Sequence, residues 1–278
     1  MLSLVKKIIQ RNPTKANYKF LMKDWSSVFD LNACKEVLET KRFSSKIQPI
    51  IYNDFTKKNI LVISSHTDDD TFGCSGTLKK FIDEGSRVKV IYIFNDFEDE
   101  KTNDSIAKEA KEISSRLGTE IEFLDGVVGE SSVEKIELIT KRLREKVAGF
   151  NPEMVFSTFI LDDHADHRLV NKMLVDIIDI LPERVEFWMF QIYTTVIPNI
   201  VVDITDKMDF KKELMGLWKS VRGNRNWSHY IMGMNAANCR YIPTKDEVFA
   251  EGFFVLPRDE YVDVVDRYYS SIKNAEKK

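Results

Sequence analysis

Ionisable side chains crowd into one short segment, residues 65–70, which reads SHTDDD. His66 and Asp69 are three residues apart, so both can reach one ion from a tight loop. Imidazole and carboxylate together suit zinc, which predicts a divalent-metal site. A simpler interpretation also fits these residues: aspartates are favoured at a helix N-terminus, and His66 would then have no part in any chemistry.

A second cluster, residues 162–168, reads DDHADHR and places His164 and His167 on either side of Asp166. Zinc catalysis requires three protein ligands, an open position for water, and a base and an acid close by. Two ligands from the first cluster and one from the second complete the ligand set, with a carboxylate and an imidazole left over. Together the two clusters favour metal-assisted hydrolysis over an acidic helix cap.

Both clusters directly follow predicted strands. Short apolar, β-branched runs predict strands at residues 57–65, 87–94, 120–124, 154–160, 185–190, 199–205 and 252–256. Helical spacing and terminal glycines predict helices at residues 76–84, 104–117, 132–149, 168–180, 206–221 and 258–273, with 222–251 irregular. This alternation predicts an α/β fold with a Rossmann-like, mostly parallel sheet and helices on both faces. Ligands of such sheets bind beyond the carboxyl ends of the strands, where both clusters fall.

The N-terminal part of the chain differs in character from the rest. Residues 1–57 are predicted to be a helical extension, and residues 58–278 one catalytic domain. The extension contains four apolar residues that we expect to anchor it to the core: Trp25, Val28, Phe29 and Leu31.

Composition argues against several classes of protein. The formal net charge of −3 gives no overall field for collecting nucleic acid. No run approaches the ~18 consecutive apolar residues of a transmembrane helix, and the N-terminus lacks the features of a signal peptide. Three widely spaced cysteines do not form a disulfide framework, which predicts a cytoplasmic location. The oligomeric state is left open.

The two clusters resemble the signatures of one family. Residues 66–78, HTDDDTFGCSGTL, are similar to the HPDDExxGCGGTL signature of the PIG-L/LmbE deacetylases, and residues 164–168, HADHR, to their HPDH motif. Weaker matches occur at Glu109, Leu117-Gly118, Pro198-Asn199, Asp203-Ile204 and residues 250–253. The resemblance covers about residues 58–256.

This resemblance implies zinc-dependent removal of an acetyl group from an N-acetylated amino sugar. The expected small-molecule substrate contains that sugar as part of a glycoside, a glycolipid precursor or a sugar nucleotide. The implied zinc ligands are His66, Asp69 and His167. By the same resemblance, Asp68 is the general base that takes a proton from the attacking water. His164 is the general acid that protonates the departing amine, and Asp166 orients an imidazole. The carboxylates flanking His164 are expected to favour its protonated form.

The sequence departs from the family pattern mainly around the substrate. Ile106 stands where many relatives have a substrate-contacting arginine, so the identity of the substrate is left open. Four motif positions also differ: Thr67 and Ala165 replace prolines, Asp70 replaces glutamate, and Ser75 replaces glycine. The alternatives are an amidase acting on a non-sugar N-acyl conjugate, a glycosyltransferase that uses residues 68–70 as a D-x-D motif, and a non-enzymatic sugar-binding protein.

Other chemistry-bearing residues are expected to be structural. His229 is predicted to lie at the surface or in the core, and Cys74 to pack as a small apolar residue. Three arginines in the stretch that could cover the site are expected to be solvated, with a contact to a substrate phosphate or carboxylate as the alternative: Arg222, Arg225 and Arg240.

Overall fold

A single eight-stranded sheet organises the computed structural model, which describes residues 28–41, 49–97, 99–220 and 225–276. Its strands are β1 (Ile50–Ile51), β2 (Asn59–Ser64), β3 (Arg87–Asp96), β4 (Glu120–Val127), β5 (Met154–Thr158), β6 (Glu186–Phe190), β7 (Ile200–Asp203) and β8 (Ala250–Pro257). The strand order is β1-β7-β8-β6-β5-β2-β3-β4. Only β8 runs antiparallel to its neighbours, β6 and β7, so the predicted mostly parallel α/β sheet is confirmed.

Helices cover both faces of this sheet. They are α1 (Val28–Leu38), α2 (Asp69–Asp83), α3 (Glu100–Leu117), α4 (Val133–Val147), α5 (Ala165–Asp176), α6 (Met208–Leu217), α7 (Trp227–Ala237) and α8 (Arg258–Glu276). Strand β2 shows why two cores form: Leu61 and Ile63 point into one core, while Ile60 and Val62 point into the other. This alternation buries the strand on both sides, as expected of a central parallel strand.

The order of the strands creates a crevice at one edge of the sheet. From β2 the chain passes outward through β3 and β4, then returns to place β5 on the other side of β2. The strands β2 and β5 pair in parallel, with Ile63 beside Ser157 near their carboxyl ends. The segments that follow these two strands therefore leave the sheet side by side, at the point where open α/β sheets bind their ligands.

Helix α2 lies unusually close to the sheet because two of its residues have no side chain. A Cβ atom on Gly73 would collide with the ring of Phe190, and one on Gly76 would lie 2.9 Å from the Ile204 side chain. This close approach fixes the N-terminal end of α2, where the first ionisable cluster begins, against the end of β2.

Several elements differ from the sequence prediction. Helix α2 begins at Asp69, so Asp69 and Asp70 form its first turn instead of a loop. Helix α7 lies in a stretch expected to be irregular; it is capped by the Asn226 side chain, which accepts a hydrogen bond from the His229 N–H. Strand β1 pairs with β7, and α1 packs against α8, so residues before position 58 contribute to the sheet and to the helical layer.

Parts of the predicted N-terminal extension cannot be compared. Trp25 lies outside the described residues, as do the side chains of Val28, Phe29 and Leu31. The division of the chain at residue 57 stays a prediction. Among the described residues, no helix combines the length and the apolar character needed to cross a membrane.

Candidate metal centre

Potential ligand atoms from three residues converge where the segments after β2 and β5 meet. His66 Nδ1 lies 3.1 Å from His167 Nε2 and 3.7 Å from Asp69 Oδ2, and His167 Nε2 lies 3.3 Å from Asp69 Oδ1. Bonds of about 2.0–2.1 Å to a tetrahedral zinc ion place ligand atoms about 3.3 Å apart. The spacing of these atoms, which include both carboxylate oxygens of Asp69, therefore fits one such ion held by three residues.

Each of the two imidazoles is held by a carboxylate on its other ring nitrogen. His66 Nε2 lies 3.1 Å from Asp166 Oδ2, and His167 Nδ1 lies 3.0 Å from Asp162 Oδ1. Such carboxylate–histidine pairs fix the ring orientation and raise the basicity of the nitrogen that faces a metal. The structure places Asp166 beside His66, in the position that its predicted orienting role requires.

Asp162 is a site residue whose role the sequence did not reveal. Its side chain is fully buried, and Oδ1 accepts the His164 N–H as well as contacting His167. Oδ2 accepts the N–H groups of Tyr193 and Thr194, at 3.1 and 3.3 Å. The available signal was its place in the DDHADH run, but sequence alone could not tell whether Asp162 or Asp163 faces inward.

The cluster holds more carboxylates than its imidazoles can balance. Burial and the nearby Asp69 raise the pKa of Asp68 to about 7, and burial raises the pKa of Asp70 to about 8. Burial alone would lower the pKa of His167, but Asp69 and Asp162 raise it to about 10. Each of these shifts reduces the negative charge of the cluster, so the donor set is electrostatically suited to a cation.

Asp68 has the placement expected of a base. It occupies the N-cap position of α2, yet its side chain makes no capping hydrogen bond. The residue is half-buried and lines the cavity beside the ligand atoms. Its carboxylate therefore does not cap the helix and belongs to the lining of the cavity.

His164 differs electrostatically from what the sequence led us to expect. Its Nδ1 accepts the Asp166 N–H at 3.2 Å, which caps α5 and leaves Nε2 to carry the proton of the neutral ring. Burial, together with the adjacent His66 and His167, lowers the pKa of His164 to about 4. The expectation that neighbouring carboxylates favour the imidazolium form is wrong, because burial and two imidazoles outweigh them.

A cavity of about 340 Å³ opens above these groups. Its described lining consists of the ionisable groups on the floor and a largely apolar wall: His66, Asp68, His164, Phe97, Thr102, Ile106, Val128, Tyr193 and Ser220. Ile106 lies in this wall, so the lining of the cavity is apolar at the position where the family resemblance implies an arginine.

The remaining predicted residues lie away from the ligand atoms. His229 is exposed and Cys74 is buried, as predicted. Arg225 lies over the ring of Trp227, and Arg240 lies over the ring of Tyr241, while Arg222 is outside the described residues. Glu109 accepts the N–H groups of Lys219 and Ser220, and thereby holds one side of the cavity mouth.

The fold and the site together define a class of protein. Two histidines and a carboxylate lie together in the crevice where the segments after β2 and β5 leave the sheet, and a second carboxylate and a third histidine lie beside them. A metal-dependent hydrolase requires these groups in this place. The family model described as "PIG-L: GlcNAc-PI de-N-acetylase" matches residues 61–178, which include both clusters. This match is a similarity over 118 of the 278 residues, and it covers every residue proposed from the two clusters.

Solved structures with the same fold include enzymes of more than one kind. N,N′-diacetylchitobiose deacetylase from Pyrococcus horikoshii has a TM-score of 0.62 and 21% identity, covering 83% of this chain and 94% of its own. The 4-carboxy-2-hydroxymuconate hydratase from Pseudomonas putida has a TM-score of 0.59 and 19% identity, covering 71% and 95%. The zinc-inhibited form of a teicoplanin deacetylase has a TM-score of 0.54 and 13% identity, covering 71% and 97%. These similarities establish the fold.

Proposed function

We propose that this protein is a metal-dependent hydrolase that removes the acetyl group from an N-acetylated amino sugar. One observation carries the proposal: ligand atoms of three residues lie 3.1–3.7 Å apart, directly beside a cavity that Asp68 lines. The match of residues 61–178 to a family model described as a de-N-acetylase supports the same reaction. The absence of disulfides among the described cysteines is consistent with a cytoplasmic location.

His66, Asp69 and His167 are the proposed metal ligands. His164 is an alternative third ligand, because one donor atom from each of the three histidines lies within 4.8 Å of the others. Asp69 is favoured because its oxygens are 3.3 and 3.7 Å from the two imidazole nitrogens, and because it brings negative charge. A divalent cation such as zinc would polarise the acetamide carbonyl and acidify a water molecule.

Asp68 is the proposed general base. Its carboxylate must be ionised to accept a proton from the attacking water, and its pKa of about 7 leaves it substantially ionised near neutrality. A group with this pKa can also release the proton again, so Asp68 is able to pass it towards the amine as the C–N bond breaks.

His164 is the proposed hydrogen-bond donor on the opposite side of the scissile bond. Because its Nδ1 accepts the Asp166 N–H, the proton of the neutral imidazole lies on Nε2. From there it can be shared in a hydrogen bond with the carbonyl oxygen, which stabilises the negative charge that develops there. The neutral ring keeps this proton, so the proton that the departing amine needs comes from Asp68. Asp166 has two tasks in this arrangement: its N–H fixes the tautomer of His164, and its carboxylate orients His66.

The geometry weighs against a glycosyltransferase. A D-x-D site would require Asp68 and Asp70 to act together, but Asp70 is almost fully buried and its Oδ1 is 3.4 Å from the Tyr92 hydroxyl. The similar hydratase shows that this fold is compatible with chemistry other than deacetylation. An amidase acting on a non-sugar conjugate would use the same groups and differs only in what fills the cavity.

The proposal is tested by metal analysis and acetate release on the purified full chain. We expect about one zinc ion per chain, and release of equal amounts of acetate and free amine from N-acetylated sugars. His167→Ala should lose most of the metal and the activity, because His167 supplies one of the ligand atoms. Acetate release only from non-sugar amides would favour the amidase, and full metal content in His167→Ala would refute the ligand set.

A further inference from the structure

Three aromatic residues form a connected rim beside the cavity: Tyr193, Trp227 and Tyr230, called here the aromatic rim. The Trp227 ring contacts that of Tyr193 at 5.3 Å and that of Tyr230 at 6.0 Å between centroids. Tyr193 also lines the cavity, so the rim is continuous with the site of reaction. Tyr230 is 38% exposed; Trp227 is half-buried, and Arg225 lies over its ring at 5.4 Å.

The aromatic rim is held in place by two residues of the candidate metal centre. The Tyr193 ring stacks on His167 with an interplanar angle of 12°, and its N–H donates to Asp162. The Tyr230 hydroxyl donates to the Tyr193 carbonyl oxygen at 2.9 Å. A rim fixed in this way loses little conformational freedom when a ligand binds, which favours affinity.

The cavity is too small to hold a long substrate. Its volume of about 340 Å³ is at the low end of the roughly 300–1,000 Å³ typical of small-molecule sites. It can take one ring with its acetamido group, and a group linked to that ring must lie beyond the mouth. On the Tyr193 side, that group meets the aromatic rim.

The described lining of the cavity favours a neutral ligand. Its charged or titratable members are Asp68 and two histidines, and none of the described lining residues is a lysine or an arginine. An anionic group here would lie close to Asp68 without a cationic partner among those residues. Aromatic faces, by contrast, pack well against the C–H surface of an uncharged pyranose ring.

We propose that the aromatic rim binds a second, uncharged sugar ring linked to the N-acetylated sugar, so that the substrate is a neutral glycoside and not a monosaccharide. This inference rests on the proposed function, which orients the N-acetylated sugar in the cavity. It adds to that function the residues that select for the length of the substrate. Trp227 is the central specificity residue because it contacts both other members of the rim.

Binding measurements test the rim separately from catalysis. In an Asp68→Asn background, calorimetry would compare N-acetylglucosamine, N,N′-diacetylchitobiose and N-acetylglucosamine 1-phosphate. We expect the disaccharide to bind about tenfold more tightly than the monosaccharide, as one aromatic stacking contact provides. Trp227→Ala should abolish that difference without weakening monosaccharide binding, whereas Trp227→Phe should largely keep it. Tyr241→Ala is the matched control, since Tyr241 also lies beside an arginine but outside the cavity lining.

Each outcome decides between the two proposals. Equal affinity for the monosaccharide and the disaccharide, or a Trp227→Ala variant that keeps the difference, overturns the rim subsite. If N-acetylglucosamine 1-phosphate binds more tightly than the disaccharide, and Arg225→Ala removes this preference, the rim subsite is also overturned. The mouth of the cavity would then bind an anionic group. A rim-dependent gain with no acetate release by the wild-type enzyme leaves the subsite standing and refutes the proposed deacetylation. No binding of any sugar refutes both.

Discussion

Replacing Asp162 with asparagine should weaken metal binding although Asp162 itself is not a proposed ligand. The carboxylate accepts four hydrogen bonds: Oδ1 from His167 Nδ1 and the His164 N–H, and Oδ2 from the N–H groups of Tyr193 and Thr194. Asparagine has an NH₂ group in place of one of these oxygens. The two N–H donors that now bind that oxygen would then face another donor. The variant therefore loses the negative charge behind His167 and at least one hydrogen bond.

The expected magnitude follows from these two losses. Removing a carboxylate that supports a metal-binding histidine typically lowers metal affinity about 10- to 100-fold, equivalent to roughly 1.4–2.8 kcal/mol. Buried N–H groups left without an acceptor cost a further ~1–3 kcal/mol of folding stability. Metal affinity and metal-free stability should thus both fall, and they can be measured independently.

Two assays separate the effects. Competition with a chromophoric chelator gives the zinc affinity, and chemical unfolding in the presence of a chelator gives the stability of the metal-free protein. Asp163→Asn is the matched control, because it removes the same charge from the adjacent, half-buried residue. An Asp162→Asn variant that binds zinc as tightly as the wild type would refute the supporting role of Asp162, whatever its stability.

Other consequences of the structure are open to direct measurement. Asp68→Asn should keep the metal and lower kcat by roughly 10²–10⁴-fold, the usual contribution of a general base; near-normal turnover would exclude that role. Activity should fall as the pH drops through the pKa of Asp68, about 7 and lower still beside a cation. His164 has a pKa of about 4 and is neutral above pH ~5, so pH–rate profiles of wild type and His164→Ala should share any alkaline limb. Lys211→Met should cost about 3–5 kcal/mol in chemical unfolding, because it leaves Glu251 buried without its 2.6 Å ion-pair partner; exposed Lys212→Met is the control.

The meeting of the two ionisable clusters could be predicted because it depends on features that sequence records. A run of parallel strands joined by helices places strand ends at one edge, and residues that follow those ends share it. His66, Asp69 and His167 therefore come together once β2 and β5 are neighbours. The spacing of histidines and aspartates within each cluster then indicated that these side chains could bind one metal ion.

What the sequence could not reveal depends on burial that only the folded chain creates. The low pKa of His164 arises from its burial and from its packing against two other imidazoles, whereas in the sequence its nearest ionisable neighbours are aspartates. Asp162 and Asp163 look alike in sequence, yet only the first is fully buried behind His167. Helix α7 was missed because WSHYIMGMNAA contains few charged residues and no clear polar face, so its pattern does not mark a helix.

The source of the wall residues explains why chemistry was easier to predict than substrate. Every proposed ligand and proton-transfer group comes from the two segments that follow β2 and β5. The cavity wall, in contrast, is built from four other parts of the chain. Phe97 follows β3, Ile106 lies in α3, Val128 follows β4, and Tyr193 follows β6. These residues can change without moving a ligand atom, so one metal centre can serve different substrates, and the wall and the aromatic rim are where selectivity should be sought.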